Sequence, residues 1–226
     1  MLGQDPKVIM FNRVLRRYAS AWSGVAGDIE VTTMLSWARS WWWAAKMGRL
    51  PLIDKWTIDW NAVLDNIVEL GDDCEKLKMV SWGHLIIDEG QDFSEEMYYS
   101  LGKIMRFLKN KGIATQITVF ADDNQRLQVD NNCTVHNIAK NLGIHQDDSR
   151  VFYLSKNYRN TLEVAKFAQF FQVGKTSGAA RLPERGGEIP SIVFFNDDKV
   201  LSDFIVRKSR ISVGKQVGVI VNGSTG

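Results

Sequence analysis

An apolar run that ends in acidic and amide side chains occupies residues 84–92, which read His84-Leu85-Ile86-Ile87-Asp88-Glu89-Gly90-Gln91-Asp92. The apolar residues are typical of a short buried strand. Three carboxylates and an amide directly after it are poor material for a core, whereas carboxylates suit a magnesium ion and can position a water. Alternatively, the acids merely precede a helix, whose positive N-terminus stabilises negative charge. The stretch alone leaves both interpretations open.

On both sides of this stretch, short apolar runs alternate with amphipathic helical patterns. Strands are predicted at residues 7–11, 29–32, 85–87, 116–121 and 151–154. Helices are predicted from about 15 to 22 and 33 to 43, from 60 to about 71, from 94 to 108, from 134 onward and from 161 to about 171. This alternation predicts a mostly parallel sheet with helices on both faces.

Polar side chains follow three of the predicted strands. They are Asp88-Glu89, Asp122–Gln125 and Asn157–Arg159. Because ligands of parallel α/β sheets bind at the carboxyl ends of the strands, these three groups are predicted to converge on one site.

The amino-acid composition indicates a globular protein but does not identify a binding partner. The chain has 226 residues, of which 45% are hydrophobic and 24% charged, as in an ordinary globular protein. The net charge of +2 does not by itself indicate nucleic-acid binding, although Arg13, Arg16 and Arg17 form a local basic cluster. That cluster is either a contact surface or the solvated face of a helix.

The cysteines and histidines have no metal-ligand spacing, so neither a zinc site nor a disulfide framework is expected. A reducing, cytoplasmic location is therefore the default expectation. No apolar run approaches the roughly 18 residues that a membrane span needs, so no membrane partner is predicted. All eight tryptophans lie in the first 82 residues, and core packing is predicted for most of them.

Residues 173–190 are rich in Gly and Pro and lack periodicity, which predicts a linker. Residues 1–172 before it are predicted to form a first domain. Residues 191–226 contain a strand pattern at 191–195, a helix pattern around 199–210 and a strand pattern at 217–221, which predict the beginning of a second α/β domain.

Several collinear segments resemble motifs of superfamily 1 helicases of the UvrD/Rep type. Asp88-Glu89-Gly90-Gln91-Asp92 resembles the Walker B segment of that family, and Ala121–Gln125 resembles its segment III. The remaining matches are Ile9–Arg13 with segment Ia, Thr33–Ala38 with segment Ib, and Asn157–Thr161 with segment IV. The resemblance implies a RecA-like motor domain 1A over residues 1–172, followed by the start of domain 2A.

The resemblance also implies a role for particular residues in ATP hydrolysis. Asp88 would hold Mg²⁺, Glu89 would act as the general base on water, and Arg159 would offer a cation to the γ-phosphate. Gln91 and Gln125 would sense that phosphate and couple it to movement along DNA. Such a division of labour suits phosphoryl transfer. Single-stranded or duplex DNA is the implied partner, RNA is not excluded, and the implied nucleic-acid contacts are Phe11, Asn12 and Trp37.

The family's phosphate-binding loop, G-x-x-x-x-G-K-[ST], has no match here. Gly174-Lys175-Thr176 fails because Gln169 stands at the first glycine position, and Gly214-Lys215 is followed by Gln216. The sequence therefore predicts the central piece of a larger helicase. Its partner would be the rest of its parent chain, and it is expected to hydrolyse little ATP alone.

Two other hypotheses remain open. One is a degenerate helicase-like module that binds nucleic acid or a partner without hydrolysis. The other is a metal-dependent nuclease that uses Asp88, Glu89 and Asp92.

Overall fold

The structure, a computed structural model, describes residues 6–11, 30–125, 132–145, 149–171 and 181–211. Within these ranges the protein is α/β, with one four-stranded, wholly parallel sheet and seven α-helices. The strands are β1 (Lys7–Met10), β2 (Glu30–Thr33), β3 (His84–Ile87) and β4 (Gln116–Val119). The helices are α1 (Met34–Ala44), α2 (Trp60–Val68), α3 (Cys74–Met79), α4 (Glu95–Asn110), α5 (Val135–Leu142), α6 (Leu162–Gln169) and α7 (Asp198–Ile211).

The strand order β2-β1-β3-β4 reverses between β1 and β3. From β1 the chain goes to β2 on one side, and from β3 it goes to β4 on the other. At such a switch point, the carboxyl ends of two neighbouring strands border a crevice in which α/β proteins bind ligands. Phe11 follows β1 and Asp88 follows β3, and the N–H of Asp88 donates to the carbonyl of Ile9 at 2.9 Å.

One face of the sheet carries the core. Ile9, Leu85 and Ile87 are fully buried, and their register places them on the same face as Val119. Residues on the opposite face are partly buried or exposed, and there a ring nitrogen of His84 lies 2.9 Å from the hydroxyl of Thr118. The described residues therefore show helical cover on one face. The segment 12–29, which includes the helix predicted from about 15 to 22, lies outside the described residues.

Each described helix begins after a residue whose side chain accepts a hydrogen bond from a backbone N–H of the first turn. Those N–H groups have no acceptor within the helix itself. The capping residues are Thr33, Asp59, Asp73, Ser94, Thr134, Thr161 and Asp197. The helix starts predicted at residues 33, 94, 134 and 161 are thus confirmed to within one residue. None of the described helices has both the length and the apolar character that crossing a bilayer requires.

Helix α4 organises the packing beside the site. Its buried stripe includes Met97, Leu101, Ile104 and Leu108, which recur at helical spacing. The helix packs against α2 and α5. Because α4 starts directly after the 84–92 stretch, the same helix that fills the core also anchors the acidic segment.

Five tryptophans form part of the core, as predicted for most of them: Trp37, Trp41, Trp42, Trp60 and Trp82. The rings of Trp37 and Trp41 stack with centroids 5.0 Å apart, and both meet Trp82 edge-on. The indole N–H of Trp41 donates to the carbonyl of Val80 at 3.0 Å. These rings attach α1 to the segment that leads into β3.

Two predicted strands are absent from the described residues. Residues 151–154 form no strand, and Phe152 and Leu154 are more than four-fifths exposed. A strand needs a neighbour for its backbone groups, and the pairing described here is one bridge between Lys156 and Arg181. Residues 191–195 likewise form no strand, whereas the helix predicted around 199–210 is confirmed as α7.

The chain divides into two compact units. The first comprises Met1–Lys156 and Phe171–Arg181, and the second comprises Asn157–Phe170 and Leu182–Gly226. In the second unit, the loop before α6 is joined to the segment 185–187, because the N–H of Leu162 donates to the carbonyl of Arg185 at 2.8 Å. The predicted division into residues 1–172, a linker at 173–190 and residues 191–226 stays a prediction.

Candidate functional site

The acidic segment after β3 contains a strained residue. Glu89 has φ +50° and ψ +47°, the left-handed conformation, which costs a residue with a side chain about 1–2 kcal/mol. Such strain persists only where the surroundings enforce it, and it concentrates at functional sites. The carboxylate of Glu89 is therefore held in a set direction at the end of β3.

Gly90 enforces that conformation by close packing. Its N–H donates to the carbonyl of Phe120 at 2.8 Å, and its carbonyl accepts from the hydroxyl of Tyr98 at 2.7 Å. A Cβ atom at this position would collide with the side chain of Val119 and lie 2.9 Å from the Tyr98 hydroxyl oxygen. A glycine is required here because the backbone lies directly against the end of β4.

Gln91 joins the acidic segment to the loop after β4. Its side chain is fully buried, its amide nitrogen donates to the carboxylate of Glu89 at 2.8 Å, and its amide oxygen accepts from the N–H of Asp122 at 3.0 Å. Its backbone carbonyl accepts from the N–H of Cys133 at 2.9 Å. One buried residue thus joins the acidic segment to the loop after β4 through its side chain and to Cys133 through its backbone.

The loop after β4 is organised around the carboxylate of Asp122. One oxygen accepts from the backbone N–H of Asn124 at 2.9 Å, and the other accepts from the side-chain amide of Gln125 at 2.7 Å. Through Asp122 and Gln91, the exposed side chain of Gln125 is connected to Glu89. Three of the predicted site residues, Glu89, Gln91 and Gln125, therefore belong to one hydrogen-bonded network.

Two buried groups beside this network, Cys133 and Tyr98, are held in their protonated forms. Burial, reinforced by Glu95 and Asp123, raises the pKa of the Cys133 thiol to about 12. Burial also raises the pKa of Tyr98 well above its ordinary value, and Cys133 and Asp92 add to that shift. Both groups stay neutral at physiological pH, so Tyr98 remains a hydrogen-bond donor to Gly90.

Asp88, the predicted magnesium ligand, is half-buried where β3 ends. The described residues contain no group of three or more His, Cys, Asp or Glu side chains that could hold a metal. Magnesium in phosphoryl-transfer sites commonly takes only one or two carboxylates, with phosphate oxygens and waters completing its shell. A single carboxylate at the switch point fits that mode. Asp92 is only 3% exposed, and the nuclease hypothesis gains no support from the described residues.

The three predicted nucleic-acid contacts lie in different surroundings. Phe11 is 37% exposed and packs edge-on against Phe93, with ring centroids 5.6 Å apart. Trp37 is 2% exposed and stacks within the core, so its ring offers no face to a nucleobase. Asn12 lies outside the described residues. Of the three, Phe11 keeps an accessible ring beside the acidic segment.

Arg159 belongs to the second unit. The side chain of Asn157 accepts from the backbone N–H groups of Arg159 and Asn160, both at 3.1 Å, which forms a tight turn before α6. The carbonyl of Arg159 accepts from the guanidinium of Arg185 at 2.6 Å, and its own side chain is exposed.

Three residues that organise the site were given no individual role by the sequence: Asp122, Gly90 and Tyr98. The segment Asp122-Asp123-Asn124 does carry a sequence signal, because Asp before Asn is typical of a turn in which the carboxylate binds the following backbone. No comparable local signal marks Gly90 or Tyr98, whose contacts depend on the tertiary packing of α4 and β4.

A scan of protein-family models found no match to the chain, and a search of curated proteins found no similar sequence.

Proposed function

We propose that this chain carries the magnesium-and-water part of the ATP-hydrolysing site of a superfamily 1 type DNA helicase, acting in the cytoplasm. The observation that supports this most is the network of Glu89, Gln91 and Gln125 at the switch point of a parallel sheet. A left-handed, half-buried glutamate bonded to a fully buried glutamine is costly to build. Capping a strand would require neither feature.

In the proposed mechanism, Glu89 accepts the proton of the attacking water. Gln91 orients this carboxylate by donating to one of its oxygens at 2.8 Å. Gln125 contacts the γ-phosphate, and its link to Asp122 and Gln91 transmits the state of the nucleotide to the acidic segment. The helicase resemblance also assigns Arg159 as a cation for the γ-phosphate, a role that a planar guanidinium suits.

Asp88 would hold Mg²⁺ together with the nucleotide, and the bound ion would neutralise charge on the phosphate oxygens. The RecA-like assignment of the sheet belongs to this proposal, as does movement along single-stranded DNA. The 226 residues contain no phosphate-binding loop, so rapid turnover would need such a loop from another segment.

Binding of a fluorescent ATP analogue with Mg²⁺ or with a chelator tests the proposal on the 226-residue chain. We expect weak, Mg²⁺-dependent binding that Asp88→Asn removes. Asp72→Asn is the matched control, because Asp72 is an exposed acid paired with Lys111 on the surface. Glu89→Gln should retain binding and abolish whatever slow hydrolysis is measured. Hydrolysis that survives Glu89→Gln would contradict the proposed base.

A helicase-like binding module without ATPase activity is the second candidate. The lack of a phosphate-binding loop in the sequence favours it. In the same experiment it predicts no nucleotide binding with or without Mg²⁺, together with retained binding of single-stranded DNA. Cleavage of DNA that requires metal but no ATP would instead indicate the nuclease.

A further inference from the structure

Two tryptophans of the first unit lie on its surface rather than in its core. Trp43 is 79% exposed and Trp56 is 59% exposed. An indole buries a large apolar area when it packs, so leaving two of them in solvent forgoes that stabilisation. Their exposure indicates a surface that contacts another molecule.

Trp43 lies in the last turn of α1, on the exposed side of the helix that also carries Arg39 and Ser40. Beside it lies an open hollow of about 410 Å³, lined by Trp43, Ala44, Lys46 and Gly48. An aromatic face next to such a hollow can receive a flat ring.

Trp56 is presented by a turn with a defined shape. The carboxylate of Asp54 accepts from the N–H groups of Trp56 and Thr57 at 2.7 and 2.9 Å, and from the Thr57 hydroxyl at 2.9 Å. An antiparallel bridge between Leu52 and Ile58 closes the base of this turn. The hydrogen bonds from Trp56 and Thr57 lower the pKa of Asp54, so this carboxylate stays ionised and holds the turn.

Arg39 connects the turn to the helix. Its guanidinium donates to the carbonyl of Lys55 at 3.2 Å. Arg39 and Trp43 are four residues apart and therefore lie on the same face of α1. The turn that carries Trp56 thus lies against α1 at Arg39, one helical turn before Trp43. We call this surface, formed by Arg39, Trp43, Lys46, Lys55 and Trp56, the tryptophan platform.

The charge of this region favours a polyanionic partner. Residues 34–58 contain four basic side chains, all exposed, and a single acid, Asp54. The ammonium group of Lys55 lies 5.0 Å from the centre of the Trp56 ring. Aromatic faces combined with cations are the means by which proteins bind single-stranded nucleic acid, since bases stack and phosphates pair with lysine or arginine. A purely apolar partner would not account for the four cations.

Lys46 provides an independent sign of function. It has φ +57°, and the N–H groups of Lys46 and Met47 donate to the carbonyls of Trp43 and Trp42 at 2.9 and 3.2 Å. This is the helix ending in which glycine is preferred at the left-handed position. A lysine there strains the backbone, which is accounted for if its charge contacts a ligand beside Trp43.

We propose that the tryptophan platform binds single-stranded nucleic acid, with bases stacked on Trp43 and Trp56 and phosphates paired with the basic side chains. The inference rests on the proposed function for the class of polymer, but it requires neither nucleotide nor hydrolysis.

Fluorescence anisotropy of labelled oligothymidylate of about 16 nucleotides, titrated with the 226-residue chain without nucleotide, tests the platform. Trp43→Ala and Trp56→Ala should each weaken binding about tenfold, and Trp43→Phe should restore part of it. Tyr99→Ala is the matched control, because Tyr99 is also exposed and has Lys103 5.4 Å from its ring. Unchanged affinity in both tryptophan variants would overturn the proposal. An oligouridylate arm distinguishes RNA from DNA.

Lys46→Gly separates function from structure. We expect it to raise the urea midpoint, because the strain is relieved, while binding weakens and the salt dependence of the affinity falls by about 0.7 in slope. A variant that is more stable and binds equally well would contradict the role of Lys46. Equal competition by polyglutamate would indicate an acidic polypeptide instead and overturn the choice of partner.

The nucleotide and oligothymidylate experiments, run on the same protein, distinguish this proposal from the proposed function. If nucleotide binding is not detected while oligothymidylate binding still depends on the two tryptophans, only the proposed ATPase is contradicted. If oligothymidylate binding is unaffected by both tryptophan substitutions, only the platform is contradicted.

Discussion

The side-chain amide of Gln91 donates a hydrogen bond of 2.8 Å to the carboxylate of Glu89, although the glutamine is fully buried and the glutamate only partly so. The orientation of an acid at the surface is thereby set by a group inside the core. Any change that loosens the core around Gln91 should alter the site as well. The stability of the fold and the geometry of the site are coupled at this bond.

Gln91→Leu should destabilise the protein by about 1–3 kcal/mol, because it removes the partners of the Glu89 carboxylate and the Asp122 N–H together. Urea unfolding measures the loss as a lower midpoint. Gln125→Leu is the comparison, since this side chain is exposed and its bond to Asp122, among the described residues, stays within its own loop, and a cost below about 0.5 kcal/mol is expected. Equal costs for the two variants would contradict the bridging role of Gln91.

Gly90→Ala should cost about 1–3 kcal/mol, because the added methyl group overlaps the Val119 side chain and crowds the Tyr98 hydroxyl. The double variant with Val119→Ala should recover part of that loss. The free energies of unfolding of the two single variants and the double variant form the required cycle. Simple additivity would show that the collision with Val119 is not the cause.

Glu89→Gly should be more stable than Glu89→Ala by about 1 kcal/mol, because both changes remove the carboxylate but only glycine relieves the left-handed backbone. The neighbouring position provides the control. Asp88 does not have a positive φ, so there the glycine variant should be the less stable of the pair. Thermal unfolding of the four variants measures the glycine-minus-alanine difference in stability at each position. A difference of the same sign at positions 88 and 89 would argue against backbone strain at Glu89.

The two cysteines should differ in reactivity. Cys74 is exposed, whereas Cys133 is buried and its pKa is raised to about 12. At about pH 8 a thiol-specific reagent should therefore modify one thiol of the folded protein quickly and both thiols after unfolding. Cys74→Ser should remove the fast reaction and Cys133→Ala should not. A fast reaction that survives Cys74→Ser would show that the Cys133 site is open.

The same raised pKa predicts a pH dependence of stability. Folding favours the protonated thiol of Cys133. The contribution of this thiol to the free energy of unfolding is therefore complete below its ordinary pKa of 9.0 and is lost as the pH rises toward about 12. The stability of Cys133→Ala should fall less over that alkaline range. Parallel curves for the variant and the parent protein would contradict the assignment.

Local patterns predicted the first four strands and most of the helices correctly. Ser94 illustrates why, because an N-cap followed by acids and an apolar stripe contains nearly all the information that a helix start needs. The residues 151–154 illustrate the limit. Their apolar side chains predict a strand, but a strand forms only with a neighbour, and neighbours are not encoded locally.

The candidate site divides in the same way. Chain order and residue type placed Asp88-Glu89 and Asp122–Gln125 at one edge of a parallel sheet, because both groups directly follow buried strands. The helicase resemblance then singled out Gln91 and Gln125. Tertiary structure alone revealed the Gln91 bridge and the strain at Glu89. It also buried Trp37 and exposed Trp43, since helical spacing places side chains on faces but does not say which face meets the core. Burial and hydrogen-bond partners depend on residues distant in sequence, and only packing brings those together.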